Sequence, residues 1–208
     1  MPLALASLLG GVALGAWAAE LTPRAAAAFD DYARATEARM AEQGKGNSFL
    51  WVDTLPEKQR QSTYARLKRG EIVYEELEAR NDGKPIKISD GMVHHWLGAV
   101  FIPEAKLERV LAVVQDYNDH ASVYPPYIRR SKLLSHKGDN FKVSQQIYNT
   151  TKAKVAFNVA FDAHSARPSR THALVRARST RIAELTNPDQ PDSAEKPVGN
   201  DRGYLWRY

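Results

Sequence analysis

The sequence contains no cysteine among its 208 residues, which excludes disulfide bonds, thiolate metal ligands and cysteine nucleophiles. It also lacks a G-x-S-x-G elbow, an H-E-x-x-H metal motif and a glycine-rich phosphate loop. The neighbouring His94 and His95 cannot chelate one metal together, because adjacent side chains of a strand point to opposite faces. The sequence therefore predicts no catalytic residue, no metal site and no cofactor.

The charge is weakly positive and evenly distributed. The formal net charge is +5, and the 29 Lys and Arg residues are scattered among 24 Asp and Glu rather than gathered into one block. This pattern does not favour a nucleic-acid partner. A hydrophobic content of 43% is enough for one sizeable core, so we expect one domain with an extension.

The longest apolar run, PLALASLLGGVALGAWAA, covers residues 2–19. It ends near the small-x-small triplet Ala16, Trp17, Ala18 and is short for a membrane span, although no Lys or Arg precedes it. Residues 1–19 are therefore predicted to be a signal peptide or a membrane anchor, with a buried apolar helix as the third reading. A signal peptide implies an exported protein, periplasmic or secreted. A membrane anchor implies contact of the chain with a membrane surface.

Residues 20–90 are predicted to form an N-terminal helical extension. Thr22 and Pro23 are typical of a helix start and Gly44 of its end, while Pro56 opens a second, more polar helix. A short strand-like run follows in GEIVYEELEA.

From Gly91 a regular series of elements begins. A strand-like run, MVHHWLGAVFI, leads into PEAKLERVLAVVQD, where apolar residues recur at helical spacing after Pro103. Five strand-like runs then follow, from YIRRSKLLSH to GYLWRY. We expect an α+β fold with a curved antiparallel β-sheet wrapped over helices. The predicted core residues are Leu111, Val114, Phe157, Val159 and Phe161.

Residues 92–208 resemble the START-like, helix-grip superfamily, which includes lipid-transfer, polyketide cyclase/dehydrase (SRPBCC-type) and coenzyme-Q-binding proteins. The strand ending in VFIP, the helix EAKLERVLAVVQD, the break DYNDHASVYPP and the strands beginning IRRSKLL carry this resemblance. It implies a START-like domain over residues 91–208 that closes with a long C-terminal helix. The chain ends at Tyr208 in a strand-like run, so we expect either a fragment lacking that helix or N-terminal helices in its place.

The predicted ligand site lies on the inward face of the sheet. Alternation places Phe157 and Phe161 on that face. On the next strand, the residues predicted to face inward are mostly small: Ala173, Val175, Ala177, Ser179 and Ala183. Small inward side chains leave apolar volume for a ligand, unless a further helix fills it.

Polar groups and aromatic rings complete the predicted site. Gln145 interrupts an apolar face and needs a partner, which is a ligand group, a neighbouring side chain or water. Tyr117, Tyr124 and Tyr127 surround a double proline and are suited to the rim of a cavity, or they staple the helix to the sheet. The predicted ligand-binding residues are Tyr124, Tyr127, Gln145, Phe157, Phe161 and Val175.

Two other features have simpler explanations. Asp116 and His120, four residues apart, favour a salt bridge at a helix end over a metal site. Residues 186–203 are rich in Pro, Asp and Gly, and we expect an exposed, disordered loop that could bind a partner only secondarily.

The function that these observations favour is binding or transport of a hydrophobic small molecule, lipid-like or aromatic, outside the cytoplasm. The alternative is a cyclase- or hydrolase-type enzyme acting on a polyketide-like or aromatic substrate. Its only support is the breadth of the superfamily, and fold does not determine function.

Overall fold

The computed structural model describes residues 22–43, 48–78, 80–81, 84–86, 93, 95–150 and 154–196. The class is α+β, with helices and short strands first and a four-stranded antiparallel sheet after them. The predicted signal peptide or anchor, His94 and the last strand-like run, 203–208, lie outside the described residues. Among the helices described, none has the length and apolarity needed to cross a membrane.

The elements are numbered in chain order. The helices are α1 (Pro23–Gln43), α2 (Glu57–Lys68), α3 (Leu107–Gln115) and α4 (His120–Val123), with a 3-10 turn at Trp51–Thr54. The strands are β1 (Val73–Glu76), β2 (Arg80–Asn81), β3 (Lys84–Pro85), β4 (Trp96–Ala99), β5 (Ile128–Lys137), β6 (Asn140–Asn149), β7 (Val155–Ala166) and β8 (Leu174–Glu184).

The first helices begin where the sequence predicts and the third does not. The Thr22 hydroxyl accepts a hydrogen bond from the Ala25 N–H at 3.1 Å, so it caps the first turn of α1. Helix α2 follows Pro56 directly. Helix α3 begins at Leu107 rather than after Pro103, because Glu104 has a φ of 58°, which a right-handed helix cannot include.

A small cluster joins the N-terminal elements. Val52, Leu67 and Val73 are buried together, and β1 pairs antiparallel with β4. The predicted strand over residues 92–102 is therefore shorter than expected and does not join the large sheet. Its pairing stops at Ala99 because the partner, Val73, is the first residue of β1, and residues 100–102 are exposed.

The large sheet is the predicted meander, with strand order β5-β6-β7-β8. Its inner face carries the main core, in which the buried residues are Tyr117, Phe141, Val143, Ala163 and Ala177. Val159 is also buried and Phe161 packs against this core, as predicted. Phe157, Leu111 and Val114 are only half-buried, so the predicted core is confirmed in part.

A β-bulge in β8 changes which residues face inward. Ala160 pairs with Arg181 but the next residue, Phe161, pairs with Ser179, so β8 contains one extra residue there. An extra residue reverses the alternation beyond it. Ile182 is therefore opposite the inward Val159, whereas Ala183 is opposite Asn158 on the outer face. The prediction that Ala183 faces inward was wrong for this reason.

Residues 185–196 fold back over the outer face of the sheet, and we call them the strap. The Thr186 N–H donates to the Ala194 carbonyl at 2.8 Å, and the Lys196 N–H donates to the Glu184 carbonyl at 2.7 Å. The Pro191 carbonyl accepts from the buried Gln146 amide at 2.8 Å. The prediction of a disordered loop was thus wrong for residues 186–196.

Carboxylates of the strap are bound by groups of the sheet. Asp189 accepts from Lys154 and from the Tyr148 hydroxyl, each at 3.0 Å. Asp192 accepts from Arg130 at 2.6 Å, and Glu195 accepts from Arg181 at 3.0 Å. Proline and acidic residues, which favour loops in isolation, are fixed here by cations of β5 and β8 and by Lys154, which precedes β7.

We expect Val143→Ala to lower the free energy of unfolding by roughly 2–3 kcal/mol, since two methyl groups leave a fully buried site. Leu134→Ala removes an exposed side chain of the neighbouring strand and should change it by less than about 0.5 kcal/mol. Urea unfolding measures both. Equal costs would contradict the placement of the core.

Acid should release the strap before the sheet unfolds. Hydrogen bonds from Lys154, Arg130 and Arg181 lower the pKa values of Asp189, Asp192 and Glu195 respectively. A carboxyl group whose pKa is lower in the folded state stabilises the folded state. This stabilisation is complete above the ordinary pKa of the group, about 4, and it is lost as the pH falls through the lowered pKa.

The measurement is the backbone ¹H–¹⁵N NOE of residues 186–196 between pH 6 and pH 3. We expect the NOE to fall with pH for residues of the strap and to stay constant for residues of β6. High salt should have a similar, weaker effect because these pairs are exposed. A strap that stays rigid both at pH 3 and at high salt would show that its ion pairs do not hold it.

Candidate ligand-binding site

The predicted site residues lie on or beside the inner face of the sheet. Gln145 is opposite Val159, and Phe157 and Phe161 lie on either side of that position on β7. These three therefore share one face. Val175 is opposite Ser165 at the far end of β7, so it belongs to the same face but is distant from Phe157.

The Gln145 side chain is buried and bonded to two neighbours. Its amide nitrogen lies 2.9 Å from Nδ1 of His120 and 3.0 Å from the Ser131 hydroxyl. Ser131 donates in turn to the Tyr117 carbonyl. Nε2 of His120 lies 3.2 and 3.1 Å from the carbonyl oxygens of Val113 and Val114, at the end of α3.

Only one arrangement of protons satisfies this network. The Tyr117 carbonyl has no proton, so Ser131 must donate to it and accept from Gln145. The amide nitrogen of Gln145 is therefore the group that faces both neighbours, and Nδ1 of His120 must accept. Nε2 of His120 then carries the proton and donates to the two carbonyls. Both ring nitrogens of His120 are therefore occupied by hydrogen bonds within the protein.

The network attaches the connection between α3 and β5 to the sheet. His120 closes the carbonyl end of α3, and the Asn118 side chain accepts from the Leu133 N–H at 2.9 Å. The salt bridge predicted between Asp116 and His120 does not form, because both ring nitrogens of His120 bind other groups. Burying Gln145 requires these partners, since an unpaired buried amide costs roughly 1–3 kcal/mol.

The three tyrosines of this connection have different positions. Tyr117 lies inside the core, 5.4 Å from the ring of Phe141 and 5.9 Å from that of Phe161, and burial raises its pKa. Its predicted place on the rim was wrong, and the alternative that it staples the segment to the sheet is correct. Tyr124 and Tyr127 remain 39% and 57% exposed, with the Tyr124 ring edge-on to His120 at 5.2 Å.

Helix α3 is fastened at both ends to the end of β7. Gln115 donates to the Ser165 hydroxyl at 2.8 Å, and Arg167 forms an ion pair with Glu108. Glu108, Leu111 and Gln115 are spaced so that they share one side of the helix. Leu111 therefore lies on the side that faces the sheet, yet no residue of α3 is buried.

Two site residues escaped prediction from sequence. His120 was assigned to a salt bridge, and Ser131 was not selected at all. The available signal was the single polar interruption at Gln145, which demands a donor or acceptor on an adjacent element. The connection that supplies it is irregular, so no periodicity could show that His120 meets Gln145.

The chain matches no protein-family model, no curated protein and no solved structure. Its function is therefore inferred from the geometry of its own residues.

We expect Gln145→Leu to lower the free energy of unfolding by about 1–3 kcal/mol, because it leaves His120 Nδ1 and the Ser131 hydroxyl without their donor. Ser131→Ala should cost about 1 kcal/mol, and the double variant should cost less than the sum, since both changes break one network. Ser144→Ala, one residue along β6 on the outer face, is the control and should be nearly neutral. Additive costs in the double variant would contradict the network.

Proposed function

We propose that the chain binds a hydrophobic small molecule, lipid-like or aromatic, between helix α3 and the inner face of the four-stranded sheet. One observation carries this proposal: α3 is amphipathic and is attached to β7 at both ends, yet none of its side chains is buried. An amphipathic helix normally buries its apolar side against the element that it faces. A ligand would complete that burial here.

The apolar side chains of α3 and of the inner face of the sheet are incompletely covered. On the helix these are Leu107, Val110, Leu111 and Val114, and at the end of the sheet to which α3 is attached they are Phe161 and Val175. Ile147 and Phe157 are also half-buried and lie toward the other end of the same face. The half-exposed rings of Tyr124 and Tyr127 lie beside the connection that follows α3. Rings with a polar tip suit the boundary between an apolar site and water.

Gln145 contributes a polar group to the proposed site. Its amide hydrogens are used by His120 and Ser131, which leaves its carbonyl oxygen as the group that could accept a hydrogen bond from a bound molecule. We propose this contact as the polar element of recognition. The residue directly opposite Gln145 on β7 is the apolar Val159.

The finer fold assignment is part of the same proposal. A helix, an irregular break and a curved antiparallel meander are the features in which this chain resembles the START-like, helix-grip superfamily, whose members enclose hydrophobic ligands. We propose that residues 91–208 form such a domain. We also propose that the protein acts outside the cytoplasm, on the basis of the apolar run at residues 2–19 and its small-x-small triplet.

The enzymatic alternative receives less support from the geometry. A cyclase or hydrolase needs a group that takes or gives a proton at the substrate. His120 is the titratable side chain nearest to Gln145, and its nitrogens are both committed to hydrogen bonds within the protein. Binding without chemistry is therefore the function proposed.

We expect Tyr124→Ala to weaken the binding of anilinonaphthalene sulfonate by about fivefold, which corresponds to the loss of roughly 1 kcal/mol of ring contact. The thermal midpoint should change little, because Tyr124 is exposed. Fluorescence titration and thermal unfolding measure the two quantities on the same samples. The same two measurements are made on Tyr127→Ala and Gln145→Leu.

Ile72→Ala is the matched control, since Ile72 is an exposed apolar side chain that directly precedes β1. Its affinity for the probe should equal that of the unchanged protein. Equal affinity in all four variants would refute the site. Native mass spectrometry of the protein purified from its own host should show an apolar molecule bound.

A further inference from the structure

A second concave surface lies in the N-terminal part of the chain. It is a groove of about 620 Å³ between α2 and β1, lined only by residues between Trp51 and Glu75. That volume is within the range of roughly 300–1,000 Å³ typical of ligand sites. Leu55 and Val73 provide apolar lining, and Lys58 and Thr63 of α2 provide polar lining. The function proposed above does not use this groove.

The groove follows the edge of a strand rather than its face. Val73, Tyr74 and Glu75 are consecutive, and all three line it. Side chains of consecutive strand residues point to opposite faces, so one groove can border all three only along the strand's edge. Strands β1 and β4 form a sheet of two, which leaves this edge of β1 unpaired within the described chain.

The hydrogen-bond register shows which backbone groups face that edge. The Leu77 N–H donates to the His95 carbonyl at 2.7 Å, so this pair is a hydrogen-bonded pair of the ladder. Such pairs alternate with non-bonded pairs in an antiparallel ladder. Tyr74, opposite Gly98, is therefore in a non-bonded pair, and its N–H and C=O point away from β4. Neither group has a partner in the part of the chain that the structure describes.

Side chains of the groove are also without partners. Thr63 is only 8% exposed, yet its hydroxyl forms no hydrogen bond within the described residues and is not sealed from solvent. It therefore opens into the groove. Lys58 has no acidic partner among the same residues, whereas Arg66 is paired with Glu71 at 2.8 Å. Lys58 of α2 and Glu75 of β1 therefore place one charge of each sign along the groove, and its Lys58 side favours an anionic group in whatever fills the groove.

We propose that the groove binds an extended peptide segment, which adds as a third strand to the free edge of β1. The peptide would exchange main-chain hydrogen bonds with Tyr74, the mode of recognition called β-augmentation. Alternate side chains of an added strand point to opposite faces. One set enters the groove toward Leu55 and Val73, and the other lies beside the exposed Tyr74 and Trp96 rings, which are 6.3 Å apart.

Charge and polarity specify the peptide further. A carboxylate of the peptide pairs with Lys58, and a polar group accepts from or donates to Thr63. The peptide therefore carries β-branched or other apolar residues together with an Asp or Glu. Tyr74 is 72% exposed, so its ring presents no obstacle to the added strand.

The test is selection of peptides from a phage-displayed library of random heptapeptides on the full chain. The expected peptides are rich in β-branched residues, carry an acidic residue and lack proline. Tyr74→Pro removes the outward N–H without touching the pairs between β1 and β4, as proline is tolerated on strand edges. It should weaken binding of the selected peptides about tenfold. Tyr74→Thr keeps the N–H and should retain most of the affinity.

Two further measurements keep the proposal testable if Tyr74→Pro fails to fold. Hydrogen exchange of the unchanged protein should show that a selected peptide protects the Tyr74 amide. Lys58→Gln should weaken acidic peptides about two- to fivefold, the range for one exposed ion pair, and should leave neutral peptides unaffected. Failure to enrich any peptide, equal binding to Tyr74→Pro and Tyr74→Thr, or an unprotected Tyr74 amide would each overturn the proposal.

Discussion

The buried hydrogen bonds of Gln145 determine how the helical connection lies on the sheet. The amide of Gln145 donates to His120 and Ser131, and these two bind the carbonyls that end α3 and begin the break after it. An apolar side chain at this position could bury the same surface, but it would not specify where residues 116–127 lie. The network therefore contributes specificity of arrangement, which apolar packing alone supplies poorly.

The arrangement of α3 follows from that attachment. Because His120 caps its last carbonyls and Gln115 and Glu108 reach the end of β7, the helix is held over the sheet by polar bonds at its ends. Its apolar middle is not drawn into the core, which is filled instead by Tyr117. The core around Val143 is thus closed by Tyr117, while the apolar side chains of α3 stay half-buried. The proposed ligand site is the surface between those side chains and the sheet.

The sequence predicted elements whose signals are local. The cap at Thr22, the proline before α2 and the alternation along β6 and β7 all act within a few residues, and each was confirmed. The bulge in β8 was missed because no residue type near Thr180 marks it, and it reversed the face of Ala183. The burial of Tyr117 in the core was also missed, because it depends on contacts with Phe141 and Phe161, which are distant from it in sequence. The strap was missed for a related reason, since two of the cations that hold it, Arg130 and Lys154, are distant from it in sequence.

The most direct test of the central claim is a titration of methyl-labelled protein with anilinonaphthalene sulfonate, followed by NMR. Binding between α3 and the sheet predicts that the methyl resonances of Leu111, Val114 and Val175 shift together and saturate with one affinity. The methyl groups of Val52, Leu67 and Val73 in the N-terminal cluster should stay unchanged. Saturable binding that leaves the Leu111 and Val175 methyl groups unshifted would contradict the account.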